Sequence, residues 1–498
     1  MPFIDSLIQQ FIARPYARVT AQREDPLGCQ DQVFHSLIRD AAQTAFGKDH
    51  RFAQIRSNAD FRNAVPLRNY ESLLPYLKRV HAGESDVLWK GRPLYFGKTS
   101  GTTSKTKYIP VTRESLQNQL QGPVYAPAHI ARDTQNIDFL KGRVLLFSDG
   151  HFFEDLNGIP AAPISTIANS RAPFIYKWWQ VPSNRINAIP DYEARIAAMI
   201  RACEGKDIRT IAAMPVWFIV FLRKIKQVSG KTFDELFPNF RMLLVSGMDY
   251  LPFLPEIQTH IRKPFRVYES YPSTEGFIAY QDQENIRGMQ LVLNNGIFFE
   301  FVELSSLREA KPRRISLKDV QPGINYALVL NTNAGLWGYL NGDTVRFTST
   351  FPHRIVITGR IHHYISAFGE HVTTEETDHA IAAASAASGT TVVSYTVAPH
   401  IATDQSLPGH EWFIEFGAET PDTDLFAASL EKALCDMNFS YGDLVRSKAI
   451  AKPRIRIIPA GGFETYLQAS GKTGLQQKIP AAQNDYKLAA ELIRILKL

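Results

Sequence analysis

Short runs of apolar and β-branched residues recur along this chain, at 143–148, 209–213, 242–246, 265–268, 289–293, 297–303 and 326–331, with helically spaced stretches between several of them, as at 192–203 and 216–226. Strands alternating with helices predict an α/β fold. The pattern changes near Ile355. Residues 355–361 read as a strand and 373–387 as a helix opened by Glu375 and Glu376, followed by strands at 391–397, 411–416 and 454–458 and a helix at 425–437. This second regime predicts a compact α+β unit of about 140 residues, an ordinary domain size. A length of 498 residues also exceeds the roughly 250 to 300 at which one core stops growing. The expected division is residues 1–357 and 358–498, with the boundary at Thr358 and Gly359.

Composition narrows the function classes. Hydrophobic residues make up 45% and charged residues 21%, which fits a globular chain with a sizeable core rather than a disordered or fibrous one. The longest apolar run, 211–222, is broken by Pro215 and falls short of the roughly 20 residues of a membrane span. Apolar residues at Phe3, Ile4, Leu7, Ile8, Phe11 and Ile12 have the spacing of an amphipathic helix packed on the body. Cys29, Cys203 and Cys435 lack CxxC spacing, so neither a disulfide framework nor a structural zinc site is expected and a reducing, cytoplasmic setting fits. A net charge of +6 spread along the chain brings no nucleic-acid motif with it and predicts attraction to small anions such as nucleotides. The spacing of His362, His363, His371 and His379 fits no common tetrahedral metal site.

The stretch most specific for chemistry runs from Tyr95 to Pro110, an aromatic strand entering a hydroxyl-rich, basic loop. Thr99, Ser100, Thr102 and Thr103 offer hydroxyl donors, Gly101 lets backbone approach a ligand, and Lys105 and Lys107 neutralise charge. Such a loop suits a polyphosphate, although read alone it also describes a solvated Ser/Thr turn. It is not a Walker loop. Gly97-Lys98-Thr99 would need glycine where Arg92 stands, and Gly471-Lys472-Thr473 would need it at Tyr466, which argues against a P-loop kinase or GTPase.

With these residues the chain resembles the GH3 acyl-acid amido synthetases, a branch of the acyl-adenylating superfamily that also holds acyl-CoA synthetases. Ala45-Phe-Gly-Lys48, Val65-Pro66, Leu74-Pro-Tyr76, Ala82-Gly-Glu84 and Lys107-Tyr-Ile-Pro110 keep the family's order and spacing. The resemblance implies a large N-terminal adenylating domain with mixed sheets and a β-barrel-like part, followed by a smaller mobile α+β domain. It implies that Thr99, Ser100, Gly101, Thr102, Thr103 and Lys107 hold the ATP phosphates. Ser104 stands where a glycine is usual, which stiffens the loop.

The second motif resembles Tyr271-Pro-Ser-Thr-Glu-Gly276, following the strand 265–268. The family implies Tyr271 along the adenine, Ser273 and Thr274 on phosphate, and Glu275 on Mg²⁺, a role that suits a hard carboxylate. Read alone, these residues form a turn with a helix cap. Ser246-Gly247-Met248 resembles the turn beside the adenine. In Tyr339-Leu-Asn-Gly-Asp343 the resemblance places Asp343 on the ribose hydroxyls; Gly-Asp alone reads as a hairpin turn. The stretch departs at Asn341 from the usual Tyr-Arg-x-Gly-Asp setting, losing a positive charge. Gly359-Arg360 resembles the hinge, with Arg360 a nucleotide contact, and Gln476-Gln-Lys478-Ile-Pro480 resembles the segment whose lysine, Lys478, enters the adenylation site.

The implied activity is ATP- and Mg²⁺-dependent formation of an acyl-AMP from a small carboxylic acid, then transfer to the amine of an amino acid. Phe152, Phe153, Phe174, Tyr176, Trp178, Trp179 and Trp217 suggest aromatic walls for the acid, and each is equally a core residue. An acyl-CoA ligase and a nucleotide-binding homologue that has lost catalysis remain as alternatives. The identity of the acid and of the amine, and the oligomeric state, are not encoded in any motif.

Overall fold

A computed structural model describes the chain except at residues 1, 100–106, 149–151, 173–175, 177, 178, 190, 248, 249, 308, 310, 362, 363, 366, 369, 371, 401–406, 418–420, 447–449, 472–478 and 484. The fold is mixed α/β. Contacts divide it into two compact units, one of residues 1–248, 257–341 and 345–356, the other of 249–256, 342–344 and 357–498.

The strands in chain order are β1 (Tyr95–Thr99), β2 (Lys107–Val111), β3 (Arg143–Leu146), β4 (Glu154–Leu156), β5 (Ile159–Ala162), β6 (Gln180–Val181), β7 (Ile208–Ala213), β8 (Met242–Ser246), β9 (Arg266–Ser273) and β10 (Gly276–Tyr280). They continue as β11 (Met289–Leu291), β12 (Ile297–Glu303), β13 (Arg314–Ser316), β14 (Asn325–Thr332), β15 (Tyr339–Thr350) and β16 (His353–Arg360). A four-stranded sheet has the order β2-β1-β5-β4, and a twelve-stranded one runs β13-β12-β14-β15-β16-β11-β10-β9-β8-β7-β3-β6. From β9 to β6 the pairing is parallel. Beyond β9 it turns antiparallel, at β9–β10, β10–β11, β11–β16 and β12–β14.

Local chemistry explains where the elements start and stop. The apolar run 211–222 is divided at Met214: β7 ends at Ala213, and Pro215 opens the helix Pro215–Ser229 at the position where a missing N–H costs nothing. That helix ends at Gly230 in the left-handed conformation, φ 72°. The helix Arg113–Asp133 opens with a reciprocal Thr112/Ser115 capping box. The N-terminal helix Pro2–Glu24 buries Ile8, Ile12 and Val19. Its Gln22 donates to Leu291 O (3.2 Å) and accepts from Leu293 N (2.7 Å). Among the described residues no helix is long and apolar enough to cross a membrane.

In the second unit β17 (Tyr364–Ile365) and β18 (Val372–Thr373) form a hairpin, and β19 (Val392–His400), β20 (Gly409–Phe416) and β21 (Ala451–Ile458) form a sheet. Helices Thr374–Ser388 and Thr423–Met437 supply Ile381, Phe426, Leu430 and Leu434 to a core completed by Trp412 and Ile414 of β20. Glu375 lies in the first turn of the 374–388 helix, while Glu376 closes a capping box with Thr373.

The first unit is tied across its length by a buried charge pair. Arg354 of β16 binds Asp282 through Nε (2.8 Å) and Nη2 (2.6 Å), and Arg23 of the N-terminal helix donates to the same carboxylate. Burial raises the Asp282 carboxyl, but the Arg354 bonds and charge, with Arg23, outweigh it and hold the group below the ordinary carboxylate range. Its contribution is therefore complete above the unfolded-state value of about 3.9 and is lost as pH falls through the lower folded-state value. Removing one partner strands buried arginine, so Asp282→Asn is expected to destabilise the first unit by about 3–5 kcal/mol, read from its urea transition at pH 7. The deficit should shrink as the wild type is acidified below pH 4.

Candidate active site

The β1–β2 hairpin carries the first motif. Thr99 pairs with Lys107 at its loop end, and Lys107 Nζ lies 5.5 Å from the centroid of the Tyr70 ring, a cation–π seat. Tyr70 Oη in turn accepts from Tyr108 N at 3.0 Å. Ser100, Gly101, Thr102 and Thr103, with Ser104 and Lys105, lie outside the described residues. Lys98 is paired with Glu154, which also accepts from Tyr108 Oη at 3.0 Å.

The second motif differs from the expected strand-then-loop. β9 continues through Pro272 to Ser273, and Thr274 and Glu275 form a two-residue turn into β10, with Ser273 paired to Gly276. No helix begins there. Pro272 is tolerated in the strand because the pairing of β9 with β8 stops at Ser270, so no ladder bond from residue 272 to that neighbour is lost. Ser273 Oγ donates to Glu275 Oε2 (3.0 Å) and accepts from Glu275 N (3.2 Å). Gln119, from the helix Arg113–Asp133, donates to Ser273 O at 2.8 Å. The same helix comes so close at Gly122 that a Cβ there would lie 2.1 Å from Phe277 Cγ.

The first and second motifs meet at a glycine. A Cβ on Gly97 of β1 would lie 2.4 Å from Thr274 Cγ2, a separation real atoms do not adopt, so the strand leading into the first motif packs directly on the Ser/Thr turn. Ser246 ends β8 beside Ser270 of β9, and Gly247 turns the chain at φ 84°; Met248 lies outside the described residues. These are carboxyl ends of adjacent parallel strands, where open α/β sheets place ligands.

Tyr271 is buried, and its Oη accepts from Asn341 Nδ2 at 3.2 Å. Asn341 is thus the partner of the ring assigned to the adenine. Within the Tyr-Arg-x-Gly-Asp setting the arginine's place falls on Leu340, whose N–H bonds Arg68 O at 2.7 Å, and Asn341 takes the variable place. Gly342 and Asp343 lie inside the twelve-residue β15 rather than in a hairpin turn, Gly342 meeting the left-handed requirement at φ 94°. Arg360 ends β16, its side chain outside the described residues, as is all of Lys478.

Among the described residues, the aromatics named for the acid lie in different settings. Phe152 and Phe153 are exposed, Phe153 lying 6.0 Å from Tyr95, while Tyr176 packs edge-on against Phe11 of the N-terminal helix at 5.5 Å. Trp179 and Trp217 are half-buried, and Phe174 and Trp178 lie outside the described residues. For a metal, the half-buried Glu275 carboxylate at a hairpin tip suits Mg²⁺, which takes one or two carboxylates and keeps phosphate oxygens and waters. Among the described residues no cluster of three or more His, Cys, Asp or Glu could hold a metal by itself. Three features carried no signal as site residues in the sequence: Gly97, Gln119 and the Asn341–Tyr271 bond. Each depends on a neighbour far along the chain.

The GH3 family N-terminal domain matches residues 16–241, the central domain 290–360 and the C-terminal domain 375–487. The chain belongs to the GH3 family. The probable indole-3-acetic acid-amido synthetase GH3.1 of Arabidopsis thaliana is 22% identical over 539 residues, spanning 91% of this chain and 89% of that protein. The jasmonoyl-L-amino acid synthetase JAR4 of Nicotiana attenuata is 21% identical over 384 residues, 64% of this chain and 66% of that one. Among solved structures, the GH3.15 acyl acid amido synthetase superposes with a TM-score of 0.79 at 16% identity, covering 95% of this chain and 93% of the other. A 2-hydroxyisobutyryl-CoA ligase in complex with 2-HIB-AMP reaches 0.58 at 14% identity, covering 96% and 92%. At these identities the structural likeness establishes the shared fold.

If the Gly97–Thr274 contact sets this GH3 site, Gly97→Ala weakens ATP binding about tenfold, the equivalent of ~1.4 kcal/mol of overpacking. Adding Thr274→Ser removes the clashing methyl and restores it. Calorimetric titration with ATP of the single and double variants checks both.

Proposed function

We propose that this GH3 chain is an acyl-acid amido synthetase that activates a small carboxylic acid with ATP and joins it to the α-amine of an amino acid. The observation that carries the reading is the seating of β1 on Thr274, because it brings the strand entering the phosphate loop onto the Ser273–Glu275 turn. Thr99, Ser100, Gly101, Thr102, Thr103 and Lys107 take the phosphates, Tyr271 the adenine beside Ser246, Gly247 and Met248, and Asp343 the ribose hydroxyls, with Arg360 a further nucleotide contact.

A carboxylate oxygen attacks the α-phosphorus, a P–O bond forms as the bond to pyrophosphate breaks, and acyl-AMP results. Both reactants are anions, so alignment and charge neutralisation dominate the barrier. Glu275 would hold Mg²⁺, which would supply part of that neutralisation. Lys478 supplies the rest from the C-terminal segment. In the second step the amine nitrogen attacks the acyl carbonyl carbon, the bond to AMP breaks, and the amine proton passes to solvent. A hinge at Thr358 and Gly359 lets residues 358–498 withdraw Lys478 and admit the acceptor. Cys29, Cys203 and Cys435 are free, which accords with a cytoplasmic enzyme. An aromatic or medium apolar acid is the favoured substrate class.

The test is a panel of acids crossed with amino acids and with CoA, read by pyrophosphate release and product mass. Acid-dependent release with an N-acyl amino acid product is expected; a CoA thioester, or release independent of the acid, overturns the assignment. Lys478→Ala is expected to slow acid-dependent release about 10²–10³-fold, the usual loss for one electrostatic donor, while ATP affinity changes little.

A further inference from the structure

The segment 333–338 leads into the Tyr339–Asp343 motif, and it is held by a chain of buried side chains outside the residues named for the nucleotide. Glu300 of β12 is fully buried, and Arg62 Nε donates to its Oε1 at 2.9 Å. Arg314 approaches the same oxygen at 3.6 Å, with both Nη groups buried and unpartnered. The other carboxylate oxygen accepts from Asn331 Nδ2 at 3.1 Å. Asn331, also buried, then accepts at Oδ1 from Gly338 N at 2.7 Å. Gly338 sits at φ 57°, and its carbonyl accepts from Arg68 N at 2.8 Å. Three residues further on, Asn341 holds the Tyr271 phenol at 3.2 Å.

We propose that Glu300 and Asn331 are positioning residues for the nucleotide: by fixing Gly338 they set the register in which Asn341 orients Tyr271. The proposal rests on the reading of Tyr271 as the ring along the adenine. Asn331 is well suited to the task, since one amide presents a donor to Glu300 and an acceptor to Gly338 at once. Glu300 fixes which end of the amide faces which partner, because a carboxylate only accepts. Reversing the amide would set oxygen against carboxylate and nitrogen against a backbone N–H, so the buried chain has one workable polarity.

That polarity gives the test. Glu300→Gln turns its amide nitrogen toward the Asn331 nitrogen when its oxygen keeps Arg62, and Asn331→Asp sets two carboxylates in contact. Combined, the two changes move one negative charge by one side chain. The amide now at position 300 accepts from Arg62 and donates to the carboxylate now at position 331, whose second oxygen accepts from Gly338 N. The 3.3 Å bond from Asn331 to Phe298 O is the one not remade. ATP affinity by calorimetry and the Michaelis constants of acid-dependent pyrophosphate exchange are measured on all four proteins, after circular dichroism and melting confirm folding. Each single variant is expected to raise Kd and KM for ATP about tenfold, in the range seen for contacting residues, with kcat at saturating ATP and KM for the acid within about twofold. The double variant is expected within about threefold of wild type. Singles that bind ATP as the wild type does, or a folded double variant no better than the singles, overturn the proposal. A wild-type chain that binds no ATP overturns the functional reading and this inference with it. Should Glu300→Gln not fold, Asn331→Asp against the double variant makes the same comparison.

Discussion

The contact between Gly97 and Thr274 is the constraint on which the site depends. Backbone of β1 can lie against the Thr274 methyl because residue 97 has no side chain, and every larger residue would separate the two. The four-stranded sheet bearing the first motif and the large sheet bearing the Ser/Thr turn are therefore joined at a point of minimum thickness. Around it, Gln119 fixes the Ser273 carbonyl and Gly122 lets its helix settle on Phe277. Three long-range contacts, two at glycines and one made by an amide side chain, aim the hydroxyls of one hairpin.

Rigidity on this scale suits the chemistry assigned to the chain. Bringing a carboxylate to a triphosphate gains little from any single side chain and much from donors that do not have to reorganise. The polar chain runs from the half-buried Arg62 to Glu300, Asn331 and Gly338, which are buried, where each hydrogen bond is strong and each unmet partner expensive. A buried network of this kind contributes a unique arrangement more than it contributes stability.

How much was legible in the sequence followed the range of the forces involved. Strands 242–246 and 297–303 and the helix 192–203 coincide with their apolar patterns, because continuous burial or a local cap such as Asp191 defines their ends. β9 runs five residues past its expected end, since Glu269, Ser270 and Pro272 look like a turn until β10 pairs with them. The length of β15 was hidden by Gly342-Asp343, a pair that locally favours a hairpin and is held extended by its neighbours. For the site, Thr99, Lys107, Tyr271, Ser273 and Glu275 were named by the resemblance of their motifs to the family's, the residue types alone fitting an ordinary turn as well. Their supports were not readable: Gly97 is one of 30 glycines until Thr274 is placed beside it, and Gln119 has no motif at all.

The binding of Arg23 to Asp282 spans 259 residues, and Gln22 reaches equally far to Leu291 and Leu293. On a ribosome moving at about 5–20 residues per second, the N-terminal helix waits roughly 13 to 50 seconds for these partners. Its apolar face meets partners much sooner, since Ile12 and Val19 pack with Tyr125, Ala126 and Ile130 of the helix Arg113–Asp133. The helix can therefore settle on the Arg113–Asp133 helix through its apolar face first, while its polar ties to the large sheet close only once residues 282–293 have been made.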